Sequence, residues 1–481
     1  MKRWLFICWL MVVFSGSTTA LAEQTNVTWA RQIDKLTQHK YLEHAQVGIS
    51  IRSAENGKIL YQNNGDNRLH PASNLKLITS AMALELLGVE HRFETEFRTD
   101  GEQHWSILDG DLYIKGGGDP SLTMTDIEDM VLALKSQGIK VLKGDLIADD
   151  SRYDSIRHSK DLPWSDEETY YGSAISALTV AAEEGSDTGT VAVEVNSSEH
   201  VGGKANIRLV PAYGTMSIVN NTKMVSEDNI ETIAITREHG EETLYISGEF
   251  PKNHEAIQQI ISVWNPTDYV IRLVDQALKK HNIIHLGHSL RKKTPSQSDV
   301  LISHQSEPLG KLIVPLMKYS NNSYAEIFVK EIGKVCGRNG SWQKGIELEK
   351  EKLQQLGIDT DKIVIRDGSG LSHINLVTAN TVTNLLFEIQ KYPWFHTYLE
   401  ALPIAGVQRK EIGGTLRHRL GKTKGRVQAK TGTISTVTAL SGYLKTDHED
   451  DLVFSIIFNN VLDEEKAKKI EDEIVSILVH S

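Results

Sequence analysis

Cysteine is nearly missing from this sequence of 481 residues, which has two, Cys8 and Cys336. Cys8 falls in the leader described below, and the one thiol left makes no internal disulfide. Stability must then come from core size, and a chain this long with 40% hydrophobic residues can build two or three cores. There is no Cys-x-x-Cys pair, and the eighteen histidines are scattered, so neither a metal centre nor a cofactor is expected. Positive charge is also short: 52 Lys and Arg against 63 Asp and Glu leave a formal charge of −11. That balance argues against a nucleic-acid partner and against adhesion to anionic lipids. Long apolar runs are confined to the start of the chain. "MKRWLFICWLMVVFSGSTTALAEQ" carries basic Lys2 and Arg3, an apolar run from Trp4 to Phe14, and the small-x-small signal Ala20-Leu21-Ala22. These are the parts of a secretory signal peptide over residues 1–22, cleaved near Ala22. The run is short for a bilayer span, and no later stretch of about eighteen apolar residues exists, so no stable membrane anchor is expected after cleavage. The mature protein is expected outside the cytoplasm, in the periplasm or in the extracellular space and cell wall.

No internal repeat and no low-complexity linker breaks the chain. Residues 27–42 alternate apolar and charged positions at helical spacing and read as a surface helix. "VGISIRSAENGKILYQNN" gives two short strands around the hairpin signal Glu55-Asn56-Gly57. At the other end, "RVQAKTGTI", "TVTALSGYLK" and "LVFSIIFNN" read as three strands, and "DEEKAKKIEDEIVSILVHS" as a closing helix. The apolar stripe of that helix, Ile470, Ile474, Val475, Leu478 and Val479, opposes a face rich in Glu, Asp and Lys. Packing on the terminal sheet suits it better than lying on a membrane. One sheet built from both ends makes the middle an insertion. There "TVAVEV", "ANIRLV", "ETIAIT" and "TLYISG" read as strands, a helix is expected near 124–137, and helical periodicity returns over 266–282 and 308–357. "KGGGDP" lacks the spacing of a phosphate-binding loop and reads as a turn at a strand end.

The stretch "PASNLKLITSAMALELL", residues 71–87, is apolar on nearly every face yet carries Ser73 and Lys76 at its start. Ser73 alone could be a helix cap. A capping box, however, would put Glu or Gln where Lys76 stands, and a cation opposes the positive end of the helix dipole. Burial and dipole both disfavour the charged amine, which makes Lys76 a general base beside a hydroxyl nucleophile. Ser-x-x-Lys by itself is weak evidence; it recurs as Ser341-Trp342-Gln343-Lys344 in a polar stretch, where it reads as chance. Two further motifs follow in chain order: Ser320-Asn321-Asn322 at the start of a helical stretch, and Lys430-Thr431-Gly432 on an expected strand. Together the three form the signature of penicillin-recognising serine acyl-transferases.

The segments "HPASNLKLITSAMALELLG", "GGGDPSL", "YYGSAISAL", "KYSNNSYAEIF", "RDGSGLSHIN", "LPIAGV", "GTLRHR" and "AKTGTISTVTALSGYL" resemble the D-alanyl-D-alanine carboxypeptidase/endopeptidase family, the low-molecular-mass class C penicillin-binding proteins. The resemblance implies an α/β (α+β) fold: a transpeptidase/β-lactamase-like domain whose antiparallel sheet has helices on both faces, interrupted by a large two-part insertion rich in strands. Ser73 and Ser320 lie 247 positions apart, which fits that layout. It implies a discontinuous catalytic domain over 23–95 and 290–481, an inserted α/β subdomain over 96–180 and an inserted β-rich subdomain over 181–289. It also implies roles. Ser73 attacks the penultimate D-alanine carbonyl and Lys76 takes its proton. Ser320 relays a proton to the leaving amine, and Asn322 holds Lys76 and the substrate amide. Lys430 and Thr431 bind the terminal carboxylate, Gly432 lets the strand backbone approach, and the N–H groups of Ser73 and Thr433 form the oxyanion hole. Partners implied are peptidoglycan stem peptides, with β-lactam antibiotics as covalent inhibitors.

One departure stands in "GSGLSHIN", where His373 replaces the arginine usual in the family, which bears on substrate contacts rather than on the chemistry. A second register, Tyr319-x-Asn321, overlaps the Ser320/Asn322 motif, but the flanking "SNNSYAE" follows the carboxypeptidase pattern. The competing readings are a serine β-lactamase and a non-catalytic wall-binding or antibiotic-sensing protein. The chain has no Leu-Asn pair for the deacylating segment of class A β-lactamases. A binding role alone would not require a buried Lys76.

Overall fold

The structure is a computed structural model that describes residues 28–211, 216–423, 425–448 and 450–481; the leader expected over residues 1–22 lies outside them. The chain divides into two compact units. One comprises residues up to Ile78, Leu353–Ile365 and Ile374–Ser481; the other comprises Thr79–Lys352 and Arg366–His373.

The first unit is built on five strands: β1 (Gln46–Ser53), β2 (Ile59–Asn63), β3 (Val427–Ile434), β4 (Val437–Lys445) and β5 (Asp451–Asn459). They pair antiparallel in the order β3-β4-β5-β1-β2, so the sheet joins the two ends of the sequence. The β1–β5 seam runs from Gln46↔Asn459 to Ser53↔Leu452. Gly57, at φ +74°, makes the β1–β2 hairpin, as the Asn-Gly signal predicts.

Alternation along each strand gives the sheet two different faces. On one, Ile49, Ile51, Leu440, Phe454, Ile456 and Phe458 pack with the closing helix α3 (Glu464–Val479) and with the helix at 28–37. Ile470, Ile474, Val475, Leu478 and Val479 of α3 are all buried there, so its stripe serves the sheet. The other face carries a polar row. Lys430 pairs with Ser441, Ser441 with Ser455 and Ser455 with Ser50 across β3, β4, β5 and β1. Ser50 Oγ meets Thr383 Oγ1 of the helix Ala379–Glu388 at 2.9 Å, so helices cover both faces.

Among the described residues, the second unit holds four sheets. A five-stranded sheet is ordered 289–291, 146–149, 112–115, 94–99 and 299–305, beside a small four-stranded one. The helices Met124–Ser136, with its Thr123/Asp126 capping box, and Pro266–Lys280 share one apolar core with these strands. "KGGGDP" ends the strand Leu112–Lys115 as a turn, with Gly118 at φ +84°. Two three-stranded sheets follow, ordered 206–210/190–196/257–262 and 218–225/244–251/234–237. Among the described residues, no helix is long and apolar enough to cross a membrane.

Candidate active site

Ser73 lies on the 3-10 turn Ala72–Leu75, which runs straight into helix α1 (Lys76–Leu86); the boundary between the units falls within α1, after Ile78. Several bonds fix this turn. The His70 N–H donates to Asn459 Oδ1 at 2.7 Å, Asn459 Nδ2 returns a bond to His70 O at 3.0 Å, and Ala72 N–H donates to His70 Nδ1 at 3.1 Å. The last residue of β5 thus clamps the chain three residues before the serine. Asn74 Nδ2 donates to Ser441 Oγ in the polar row at 2.7 Å. Ala72 is held at φ +46°, a conformation that costs a residue with a β-carbon roughly 1–2 kcal/mol and persists only where neighbours over-determine it.

Lys76 has no exposed surface, and its Nζ lies 3.0 Å from Ser73 Oγ, to which it donates. The second Ser-x-x-Lys behaves differently. Ser341 Oγ accepts the backbone N–H of Lys344 at 3.2 Å, as an ordinary helix cap does, while Lys344 Nζ turns to Glu347 at 2.8 Å. The same spacing therefore yields a buried amine–hydroxyl pair in one place and a cap in the other.

β3 lies against this turn. A β-carbon on Gly432 would sit 2.8 Å from Pro71 O and 3.1 Å from Ser73 N, so only glycine lets the strand come this close. Lys430, also without exposed surface, donates to Thr431 O at 2.7 Å. Burial first, and then the charge of Lys76, hold the Lys430 amine well below the usual lysine range. Thr431 Oγ1 donates to Thr415 Oγ1 at 2.7 Å, and Thr433, two residues along the strand, is exposed. The first unit thus brings together Ser73, Lys76, Lys430, Thr431, Gly432 and Thr433.

Ser320 and Asn322 belong to the second unit, at the start of helix α2 (Asn322–Gly337). Ser320 stands at φ +63°, in the left-handed region. Asn321 is the helix cap: its Oδ1 accepts from Tyr324 N at 3.1 Å and from Ser323 Oγ at 3.0 Å. The Asn322 Nδ2 donates to Tyr171 O at 2.9 Å. Asp187 Oδ1 accepts from the N–H groups of both Asn322 and Ser323, at 2.8 and 2.7 Å. Tyr319 ends the preceding helix, half-buried beside Gly185.

One turn further along α2, the buried Glu326 carboxylate accepts from Gly368 N and Ser369 N, each at 2.9 Å, and from Trp342 Nε1 at 2.6 Å. Burial and the charge of Asp367 push Glu326 up to about 7. Burial, Glu326 and Asp367 together push Glu349 up to about 8. The loop that Glu326 ties down ends at His373, which is exposed; burial pushes the Asp166 carboxyl up, with His373 acting against that shift.

His70, Asn459, Ser441, Asp187, Tyr171 and Glu326 were not singled out in the sequence. "HPASNLK" and "IIFNN" show polar residues next to apolar runs, but nothing in either reveals that His70 and Asn459 meet. His281 and His285 stand at the His-x-x-x-His spacing, yet His285 Nδ1 pairs with Asp275 Oδ1 at 3.3 Å. Among the described residues, no group of three or more His, Cys, Asp or Glu could hold a metal ion.

Residues 29–480 match the family described as D-Ala-D-Ala carboxypeptidase 3 (S13). The chain is 37% identical over 459 residues to the D-alanyl-D-alanine carboxypeptidase of Actinomadura sp. (strain R39), covering 94% of this chain and 85% of that one. It is 27% identical over 431 residues to the D-alanyl-D-alanine carboxypeptidase DacB of Haemophilus influenzae, covering 89% and 88%. The crystal structure of penicillin binding protein 4 from H. influenzae superposes with a TM-score of 0.81 at 25% identity, over 93% of this chain and 99% of that one. That likeness confirms a transpeptidase/β-lactamase-like fold with inserted domains. With a match from end to end of the described chain, and a sheet and serine turn of the kind its motifs imply, the protein belongs to the D-Ala-D-Ala carboxypeptidase 3 (S13) family.

Proposed function

We propose that Ser73 is the nucleophile through which this serine-type D-Ala-D-Ala carboxypeptidase acts on peptidoglycan stem peptides, and that penicillins acylate the same oxygen. One observation carries the reading: a fully buried lysine amine 3.0 Å from a serine hydroxyl, on a turn held by a strained alanine. Neither a cap nor a binding module needs that arrangement.

The roles are those the family resemblance implies, with Ser73 and Lys76 as a nucleophile and its general base. Ser73 Oγ attacks the carbonyl of the penultimate D-alanine while Lys76 takes the hydroxyl proton. The developing oxyanion is met by the N–H groups of Ser73 and Thr433; an oxyanion-hole donor is typically worth about 3–4 kcal/mol. The proton passes by way of Ser320 to the leaving amine, D-alanine departs, and water hydrolyses the acyl-enzyme. Asn322 holds the lysine and the substrate amide, and Lys430 and Thr431 take the terminal carboxylate. The use of the Asn321 amide as the helix cap supports Ser320/Asn322 over the Tyr319-x-Asn321 register. The division into a catalytic body over 23–95 and 290–481, with insertions at 96–180 and 181–289, belongs to the same proposal, as does export after cleavage of residues 1–22. It is supported by a sheet made from both ends of the chain and by a leader-like start.

The test is labelling of the exported protein by fluorescent penicillin, with release of D-alanine from a peptide ending in D-Ala-D-Ala. Ser73→Ala is expected to abolish both. Labelling that survives in Ser73→Ala removes the nucleophile. Rapid penicillin turnover with no D-alanine release makes the protein a β-lactamase. Trimming of stem peptides and cutting of cross-links start from one acylation, and product analysis with defined monomeric and cross-linked muropeptides separates them.

A further inference from the structure

The first turn of α2 is buried, and it draws acceptors from far away in the chain. The opening N–H groups of a helix need acceptors, and one capping side chain commonly serves. Asn321 is that cap. Yet Asp187 Oδ1, brought from 135 positions earlier in the chain, takes two further N–H groups, those of Asn322 and Ser323. Its neighbour Thr188 donates its N–H to Ser323 Oγ at 2.9 Å.

Asp187 is itself held rigidly. It is 6% exposed, and its carbonyl accepts from Thr190 Oγ1 at 2.6 Å. Thr190 opens the strand Thr190–Asn196, the middle strand of a three-stranded sheet. The same sheet holds the motif at a second point. Its edge strand Ile257–Ser262 bridges Thr169 through Ile261, and Thr169 opens the 3-10 turn Tyr170–Gly172. From that turn Tyr171 O accepts the Asn322 amide at 2.9 Å. This bond fixes which way the amide faces: Nδ2 donates to the carbonyl, and Oδ1 is the accepting end of the amide. Ser320, at φ +63°, is a non-glycine residue in a costly conformation, and such residues stay put only under outside constraint.

We propose that Asp187 is a positioning residue for the Ser320-Asn321-Asn322 motif, acting through the two N–H groups it accepts. The three-stranded sheet 206–210/190–196/257–262 is then the frame that sets Ser320 and Asn322. This gives part of the inserted region a catalytic purpose, and it rests on the assignment of Ser320 and Asn322 made above.

The experiment compares Asp187→Ala, Asp187→Asn and Asp187→Glu with wild type and Ser73→Ala, reading the second-order rate of penicillin acylation, kcat and KM for D-alanine release, and Tm. Asn keeps an acceptor oxygen at the Oδ1 position; Glu keeps the charge but moves the acceptor outward by a methylene. Asp187→Ala is expected to lower kcat and the acylation rate about 10–100-fold while KM changes little, the usual effect of displacing a positioned group by a fraction of an ångström. Asp187→Asn is expected to restore most of the rate, and Asp187→Glu is not. Where Asp187→Ala does not fold, the Asn and Glu variants decide. Wild-type rates in both Asn and Glu, or in Ala, overturn the proposal. So do rates in all three variants that fall only in step with Tm, because that marks a purely structural aspartate. Labelling that persists in Ser73→Ala overturns the active-site reading instead, whatever the Asp187 variants do.

Discussion

A methyl group on Gly432 has nowhere to go: its carbon would meet a backbone oxygen at 2.8 Å and the Ser73 nitrogen at 3.1 Å. Neither neighbour is the movable end of a flexible side chain. Gly432→Ala therefore has to push β3 away from the serine turn. We expect penicillin acylation to slow about 10²-fold, the scale of losing one oxyanion donor. The stability cost should stay near 1–3 kcal/mol, as for other overpacked sites. Stopped-flow acylation and a denaturant melt measure the two, and an unchanged acylation rate would show that the approach is not needed for catalysis. At this scale the sequence was readable where chemistry leaves a mark in local spacing. Lys76 stood out because a cation at the mouth of an apolar helix needs a reason. The Ser341/Lys344 pair was rightly set aside because its surroundings were polar, and its serine is a cap. Asp187 left no mark, because an aspartate in a polar loop is ordinary until the chain folds 135 positions back on it.

At the scale of elements, α2, the helix Trp342–Gln355 and the loop 366–373 enclose Glu326, Glu349 and Asp367, all buried. Both carboxyl oxygens of Glu349 lack a hydrogen-bond partner. Glu349 is held up at about 8 and Glu326 at about 7, above the ordinary glutamate value of 4.5. A carboxyl raised on folding binds its proton more tightly in the native state than in the unfolded chain. Stability from this cluster is therefore complete below about pH 4.5 and is lost as pH rises through 7 to 8. Glu349→Met removes the ionisable group at similar volume, so it should flatten the fall in Tm between pH 5 and 8. At pH 8 it should add about 3 kcal/mol, the scale of such a raised carboxyl. Parallel pH–Tm curves for the two proteins would show that Glu349 does not titrate in that range.

The strands at the two ends of the chain were legible because they alternate cleanly and are bounded by turn signals. The strand Asp299–Gln305 was not. It is a largely exposed edge strand pairing with residues 94–99, and its mixed polar pattern carries no period that marks a buried face.

Over the whole molecule, stability rests on apolar cores in each unit rather than on covalent ties. Cys336 is free and exposed, so reductant should leave Tm unchanged. Cys8 is the other cysteine of the sequence. Thiol titration of the denatured, exported protein should therefore give one equivalent if residues 1–22 have been removed; two equivalents would mean that the leader is retained. The ends-to-middle plan was foreseeable from strands and helices at both termini. How the insertion divides into sheets was not, because the pairings that define it, such as 218–225 running parallel to 244–251, are set by partners and not by local pattern.

The β1–β5 seam also dictates a timetable. β1 waits for residues 451–459, and the turn bearing Ser73 waits for Asn459, so nearly the whole polypeptide must be made before the serine can be set. Closing a loop of some four hundred residues is a late and slow event. A chain still being synthesised therefore carries its serine and lysine unassembled, and the hydrolase switches on only after its last strand has been made and has found its place in the sheet.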